Sequence, residues 1–158
     1  MQRRSFLGTC AGVLAPATLL AQKSPRPPKP DVLYLLHASN LVETEVAEAK
    51  EERRKDDTAY VVEGASSPAK TPLAEPIFIV EARKIRPDEL QLFRLDVKNG
   101  RRETVISKKR RSSNRPLHLS LKRLGDGLFR VEAAEFLQNG QYAITPEGSN
   151  QVFLFEVY

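Results

Sequence analysis

Cysteine, tryptophan, methionine and histidine are nearly missing from this chain of 158 residues, which has one Cys, no Trp, one Met and two His. Each scarcity removes a class of chemistry. The only thiol, Cys10, lies in a leading segment with the marks of a removable signal, and taking 21 residues from 158 leaves 137 without cysteine. A thiolate zinc site, an iron–sulfur cluster and a disulfide framework are thereby excluded from the mature chain. Its stability must come from a packed core, which at this length buries roughly two thirds of the unfolded surface. Phosphate-cradling glycine loops are lacking as well: Gly125-Asp126-Gly127 is short and leads into a strand pattern, where a helix N-terminus is required. The longest apolar stretch, residues 6–20, is interrupted by Gly8, Thr9, Gly12 and Pro16 and falls short of the about 20 residues of a membrane helix. No integral membrane domain is expected once it is removed, and no cofactor.

What the N-terminus does have is a positive head (Arg3, Arg4), that short apolar core and a small residue, Ala21, at the exit. This is the pattern of a secretory signal. Gln2-Arg3-Arg4-Ser5-Phe6-Leu7-Gly8 resembles the twin-arginine signal Ser/Thr-Arg-Arg-x-Phe-Leu-Lys, matching at both arginines and Phe-Leu and departing at Gln2 and Gly8. The resemblance implies a bacterial protein exported to the periplasm or beyond. Cys10 precedes the apolar core, so a lipid anchor is not expected. The division that follows is 1–21 signal peptide, 22–30 proline-rich linker and 31–158 folded domain. Residues 23–30, KSPRPPKP, should form an extended, solvated spacer of about 25 Å at 3.1 Å per residue. Losing the two head arginines leaves 23 basic and 20 acidic residues, a net charge of +3 that is too small to attract anions without clustering.

From residue 31 onward the pattern is β. Short Val-, Ile-, Phe- and Tyr-rich runs between Gly, Pro, Asn and Asp predict strands at 32–37, 60–63, 77–82, 90–97, 103–108, 117–123, 128–133, 141–145 and 151–157. Asn99-Gly100 marks a two-residue hairpin, Gly125-Asp126-Gly127 a second tight turn and Arg86-Pro87-Asp88 a proline-led one. Period-two faces such as Phe93/Leu95/Val97, Leu117/Leu119/Leu121 and Phe153/Phe155/Val157 stand opposite mainly polar residues, which predicts an all-β, antiparallel two-layer sandwich of about eight or nine strands. Residues 41–57, LVETEVAEAKEERRKDD, fit a helix face (Leu41, Val42, Val46, Ala49) and a strand face (Val42, Thr44, Val46) alike. A strand start running into a mobile charged excursion is the favoured reading, a helix the alternative.

Leu137-Gln138-Asn139-Gly140-Gln141-Tyr142-Ala143-Ile144 has the Leu-x-x-Gly-x-Tyr pattern and resembles the corner of immunoglobulin-like and fibronectin-like sandwiches. The resemblance implies that Tyr142, two residues after Gly140, returns its hydroxyl to upstream backbone as a structural corner. With the Ser149-Asn150 turn and the aromatic last strand, the ending is similar to that of small exported bacterial proteins without an assigned activity; Glu156 stands where glycine is more usual. An immunoglobulin-like fold is implied, and no activity.

Catalytic groupings are thin. His118 alternates with Leu117 and Leu119 on a polar face, and His37 ends the first strand; two ordinary histidines are favoured over a metal-binding pair. Gly64-Ala65-Ser66-Ser67-Pro68 lacks the Gly-x-Ser-x-Gly elbow. The one sharp electrostatic feature is Lys108-Lys109-Arg110-Arg111, which with Lys98, Arg101 and Arg102 forms a candidate anion-binding cluster. A solvated loop guarding a sheet edge is the simpler account. Nucleic acid is not an expected partner, since no RNA-binding aromatic motif accompanies the charge. The chain therefore reads as an exported, non-catalytic binding or structural module of the envelope, whose partner would be an envelope protein or an anionic polymer. The alternative is a small hydrolase or envelope-modifying enzyme using carboxylates or a Ser–His pair.

Overall fold

The computed structural model describes residues 23–107 and 114–158. The strands are β1 (Tyr34–His37), β2 (Asn40–Glu43), β3 (Glu45–Glu48), β4 (Lys50–Arg54), β5 (Asp57–Glu63), β6 (Lys70–Thr71), β7 (Ile77–Glu81), β8 (Leu90–Lys98), β9 (Arg101–Ser107), β10 (Leu119–Gly125), β11 (Leu128–Ala133), β12 (Gly140–Pro146) and β13 (Gln151–Val157). A 3₁₀ turn, Pro87–Glu89, occupies the proline-led connection. Among the described residues no helix is long and apolar enough to cross a membrane.

These strands form the two antiparallel sheets of a sandwich. The smaller has the order β10-β11-β7-β1-β2 and the larger β3-β13-β12-β8-β9-β5-β4, with β6 added in parallel at the end of β13. Every strand expected from the pattern is present within a few residues. The hairpins also form where the turn residues place them, with Asn99 and Gly100 both at positive φ (52° and 73°) between the paired Lys98 and Arg101. The sandwich core lies between Leu33, Leu35, Phe78 and Val80 of the small sheet and Leu92, Tyr142, Ile144, Phe153 and Phe155 of the large one. At its centre the Phe78 and Phe155 rings meet edge to face at 4.9 Å.

The strand count is thirteen among the described residues, against the expected eight or nine, and most of the excess comes from residues 41–57. This is the main correction to the sequence reading. The segment is neither a charged excursion nor a helix. It is extended over β2, β3 and β4, leaving the small sheet for the large one at Thr44, whose buried hydroxyl donates to the Leu33 carbonyl at 2.7 Å. The expected face Val42/Thr44/Val46 does not hold: Val46 is 43% exposed, while Ala47 and Ala49 turn inward.

That crossing strand closes the large sheet. The two ends of its strand order, β3 and β4, are consecutive parts of one segment separated by Ala49 alone. The Ala49 N–H donates to the Asn150 carbonyl at 2.8 Å, so the odd-numbered residues 45, 47 and 49 turn their backbone groups toward β13. The β4–β5 hairpin closes on Arg54 and Asp57 across two residues, which makes that pair hydrogen-bonded and turns the even-numbered residues 50, 52 and 54 toward β5. The two halves of the segment thus bond opposite edges. The sheet rolls into a six-stranded barrel of the 45–54 segment, β5, β9, β8, β12 and β13, and strands β8, β12 and β13 serve both barrel and sandwich.

The proline-rich segment is not wholly solvated as expected. Pro27 is buried, Lys29 pairs with Glu43 at 2.9 Å, and one Asp31 carboxylate oxygen accepts backbone N–H bonds from Arg83, Lys84 and Ile85. Prolines cannot enter the sheet, but an apolar ring can still seat on it.

Candidate functional site

The barrel interior has two unlike ends. At one, where β9 begins and β13 finishes, the inward side chains are Glu45, Arg102, Gln141 and Glu156. Arg102 is 1% exposed; its guanidinium donates to both Glu45 oxygens (2.8 and 2.9 Å) and to the carbonyls of Glu63 and Gly64. Burial acts to raise the Glu45 carboxyl, but the hydrogen bonds and charge of Arg102, with a bond from Ser67, hold it below the usual carboxylate range. The Glu156 carboxyl is likewise held down, first by a hydrogen bond from Gln141 and then by Lys70, against the opposing effect of burial. The Gln141 side-chain oxygen accepts the Ser67 N–H at 2.9 Å. This linked set of polar groups plugs the barrel.

Next comes an apolar layer of Ala47, Val62, Leu95, Ala143 and Leu154. Beyond it the barrel is hollow. A cavity of about 310 Å³ opens toward the other end, walled by Val62, Phe93, Leu95, Ile106, Val152 and Tyr60, and rimmed by Glu51, Gln91, Thr145, Ser149 and Asn150. The cause is side-chain size: inward positions on three strands carry Ala49, Ala143, Thr104 and Thr145, which are too short to meet across the axis. Its lining is contributed by strands on all sides of the barrel, so the walls are rigid. Glu51 is the only lining residue besides Tyr60 that ionises. It stands directly across from Tyr60, which in turn stands across from Thr104. Thr104 is braced by Asn114, whose side-chain N–H₂ donates to the Thr104 hydroxyl and the Arg94 carbonyl.

The site residues expected from sequence do not build this cavity. Lys108, Lys109, Arg110 and Arg111 lie outside the described residues. Arg102 is inside the barrel plug, engaged with Glu45, and so is no part of an exposed anion-binding surface; Arg101 donates to Glu52 at 3.1 Å. Tyr142 does form the corner, its hydroxyl donating to the Gln138 carbonyl at 2.6 Å four residues upstream. Gly140 is required there because a Cβ would sit 3.4 Å from the Arg94 guanidinium, at a φ of 154°. The two histidines do not share a cleft. β1, which ends in His37, and β10, which His118 precedes, are separated in the small sheet by β7 and β11, three strand spacings or about 14 Å. His118 is engaged with Glu135. Among the described residues no three of His, Cys, Asp or Glu gather into a metal-binding group.

The cavity residues escaped sequence reasoning, although two signals were present. Val152-Phe153-Leu154-Phe155 is apolar on both faces, which a sandwich with one wet face does not explain. Ala47 and Ala49 alternate with Glu48 and Lys50, a small-residue face amid charge. Comparison with known proteins finds no matching family model, no similar curated protein and no similar solved structure.

Proposed function

We propose that the chain is an exported, non-catalytic binding module of the bacterial envelope, and that the barrel cavity is the seat of its ligand. The observation that carries this reading is the hollow itself: an apolar chamber of about 310 Å³, at the lower end of the usual range for small-molecule sites, set on strands from every side of a barrel. Its lining has one carboxylate and no second acid or base within it, which favours holding a molecule over transforming one by acid–base chemistry. Export is supported by Arg3, Arg4, Phe6 and Leu7, and by a disulfide-free mature chain that can fold in a reducing compartment before transport.

Two experiments test it. Chemical-shift changes on adding neutral aromatic alcohols to the full chain should fall on Phe93, Ala143 and Val152, and shifts confined to the sandwich core would refute the seat. A reporter transported only when folded, fused behind residues 1–24, should leave the cytoplasm by the twin-arginine route; its retention would refute export.

A further inference from the structure

The cavity is electrostatically one-sided. Glu51 extends from the inward face of β4, across from the Tyr60 ring, and no basic residue is among those lining the cavity. The nearest counter-charge to it is weakly committed: Arg53 Nε lies 3.6 Å from a Glu51 oxygen, and the Arg53 side chain is 89% exposed. An exposed contact of that length contributes little and is readily exchanged. Glu51 itself is 40% exposed, placed where a bound molecule would cover it. Below it lie Phe93 and Ile106, and beside it Tyr60. Aromatic faces carry negative potential, so Tyr60 and Phe93 reinforce the preference of the carboxylate for positive charge.

We propose, resting on the reading of the cavity as a ligand seat, that it selects a compact organic cation: an apolar or aromatic body on Phe93, Leu95 and Val152, with an ammonium group at Glu51. The volume sets the size, the apolar floor the body and the lone carboxylate the sign of the head. An organic anion would place its charge beside Glu51 with no lining cation to offset it.

The test uses the full chain and three probes sharing one body: 2-phenylethylammonium, 2-phenylethanol and 3-phenylpropanoate, titrated calorimetrically at equal ionic strength. The ammonium should bind on the order of tenfold more tightly than the alcohol, and the carboxylate most weakly. Glu51→Gln, a substitution at the exposed rim, should bring the ammonium to within about threefold of the alcohol and leave alcohol binding unchanged. Equal affinity of ammonium and alcohol, a preference for the carboxylate, or an ammonium preference that survives E51Q would overturn cation selection while leaving the seat standing. Ala143→Leu should weaken all three probes by narrowing the chamber. Should no probe bind, or should A143L leave alcohol binding untouched while the variant melts as the wild type does, the seat itself would be refuted.

Discussion

Strands β8, β12 and β13 present one face to the small sheet and the other to the barrel, and the two faces are packed differently. Toward the small sheet they carry Leu92, Tyr142, Ile144, Phe153 and Phe155, which fill the space and bring the Tyr142 and Phe155 rings to 5.5 Å. Toward the barrel axis they carry Phe93, Leu95, Ala143, Thr145, Val152 and Leu154, and a chamber remains. The backbone is the same and so is the pleat. What differs is side-chain volume at alternate positions, and it separates the two tasks: one face holds the fold together, and the other leaves room for a guest. A hollow is tolerable beside a dense core because the sandwich supplies the burial that the barrel forgoes.

Substitutions on each face should break this division in order of effect. Phe155→Ala removes a fully buried ring touching both Phe78 and Tyr142, and should cost about 4 kcal/mol in denaturant unfolding. A loss under about 1 kcal/mol would mean that the sandwich core is not the main source of stability. Arg102→Met strands Glu45 in the barrel plug and should cost about 3 kcal/mol, whereas the double replacement of Arg102 and Glu45 by Met should recover most of it. The same pair gives a pH dependence. Because the folded carboxyl lies below its unfolded value of about 4.3, its contribution is present above that pH and is lost as pH falls through the folded pKa. Acid titration of stability should therefore be shallower in the double variant than in the wild type.

Tyr142→Phe keeps the ring contact and deletes only the bond to the Gln138 carbonyl, so about 1 kcal/mol is expected in the same assay. Smallest of all, Ala143→Leu adds side chain into open space and should shift stability by less than about 1 kcal/mol while reducing binding. A large destabilisation there would show that the chamber is already filled by relaxation of its walls.

Much of the sandwich could be read from the chain because its signals are local. Asn99-Gly100 announces a turn by its tolerance of positive φ, and alternation in 128–133 or 151–157 announces a strand. Residues 41–57 were ambiguous because their apolar positions are few and small. Ala47 and Ala49 suffice to face a barrel but are too weak a pattern to choose between periods of 2 and 3.6. The basic cluster misled for a related reason. Counted along the chain, Lys98, Arg101 and Arg102 look like free positive charge, yet Lys98 pairs with Glu103, Arg101 with Glu52 and Arg102 with Glu45. The two glutamates that hold the arginines come from about fifty residues upstream, on the strand whose own charge seemed to mark a solvated excursion. Each segment supplies the counter-charge that the other seemed to lack.

By itself, then, the amino-acid sequence determined an all-β chain with its hairpins, its Tyr142 corner and its freedom from disulfides, since each follows from residues close together in the chain. Closure of the large sheet, burial of Arg102 and the hollow beside Glu51 were decided only in three dimensions. They depend on pairing 45–54 with both β13 and β5, and on which side chains meet across the barrel axis. A pattern of period two states that a strand has two faces; what each face meets depends on strands brought beside it from elsewhere in the chain.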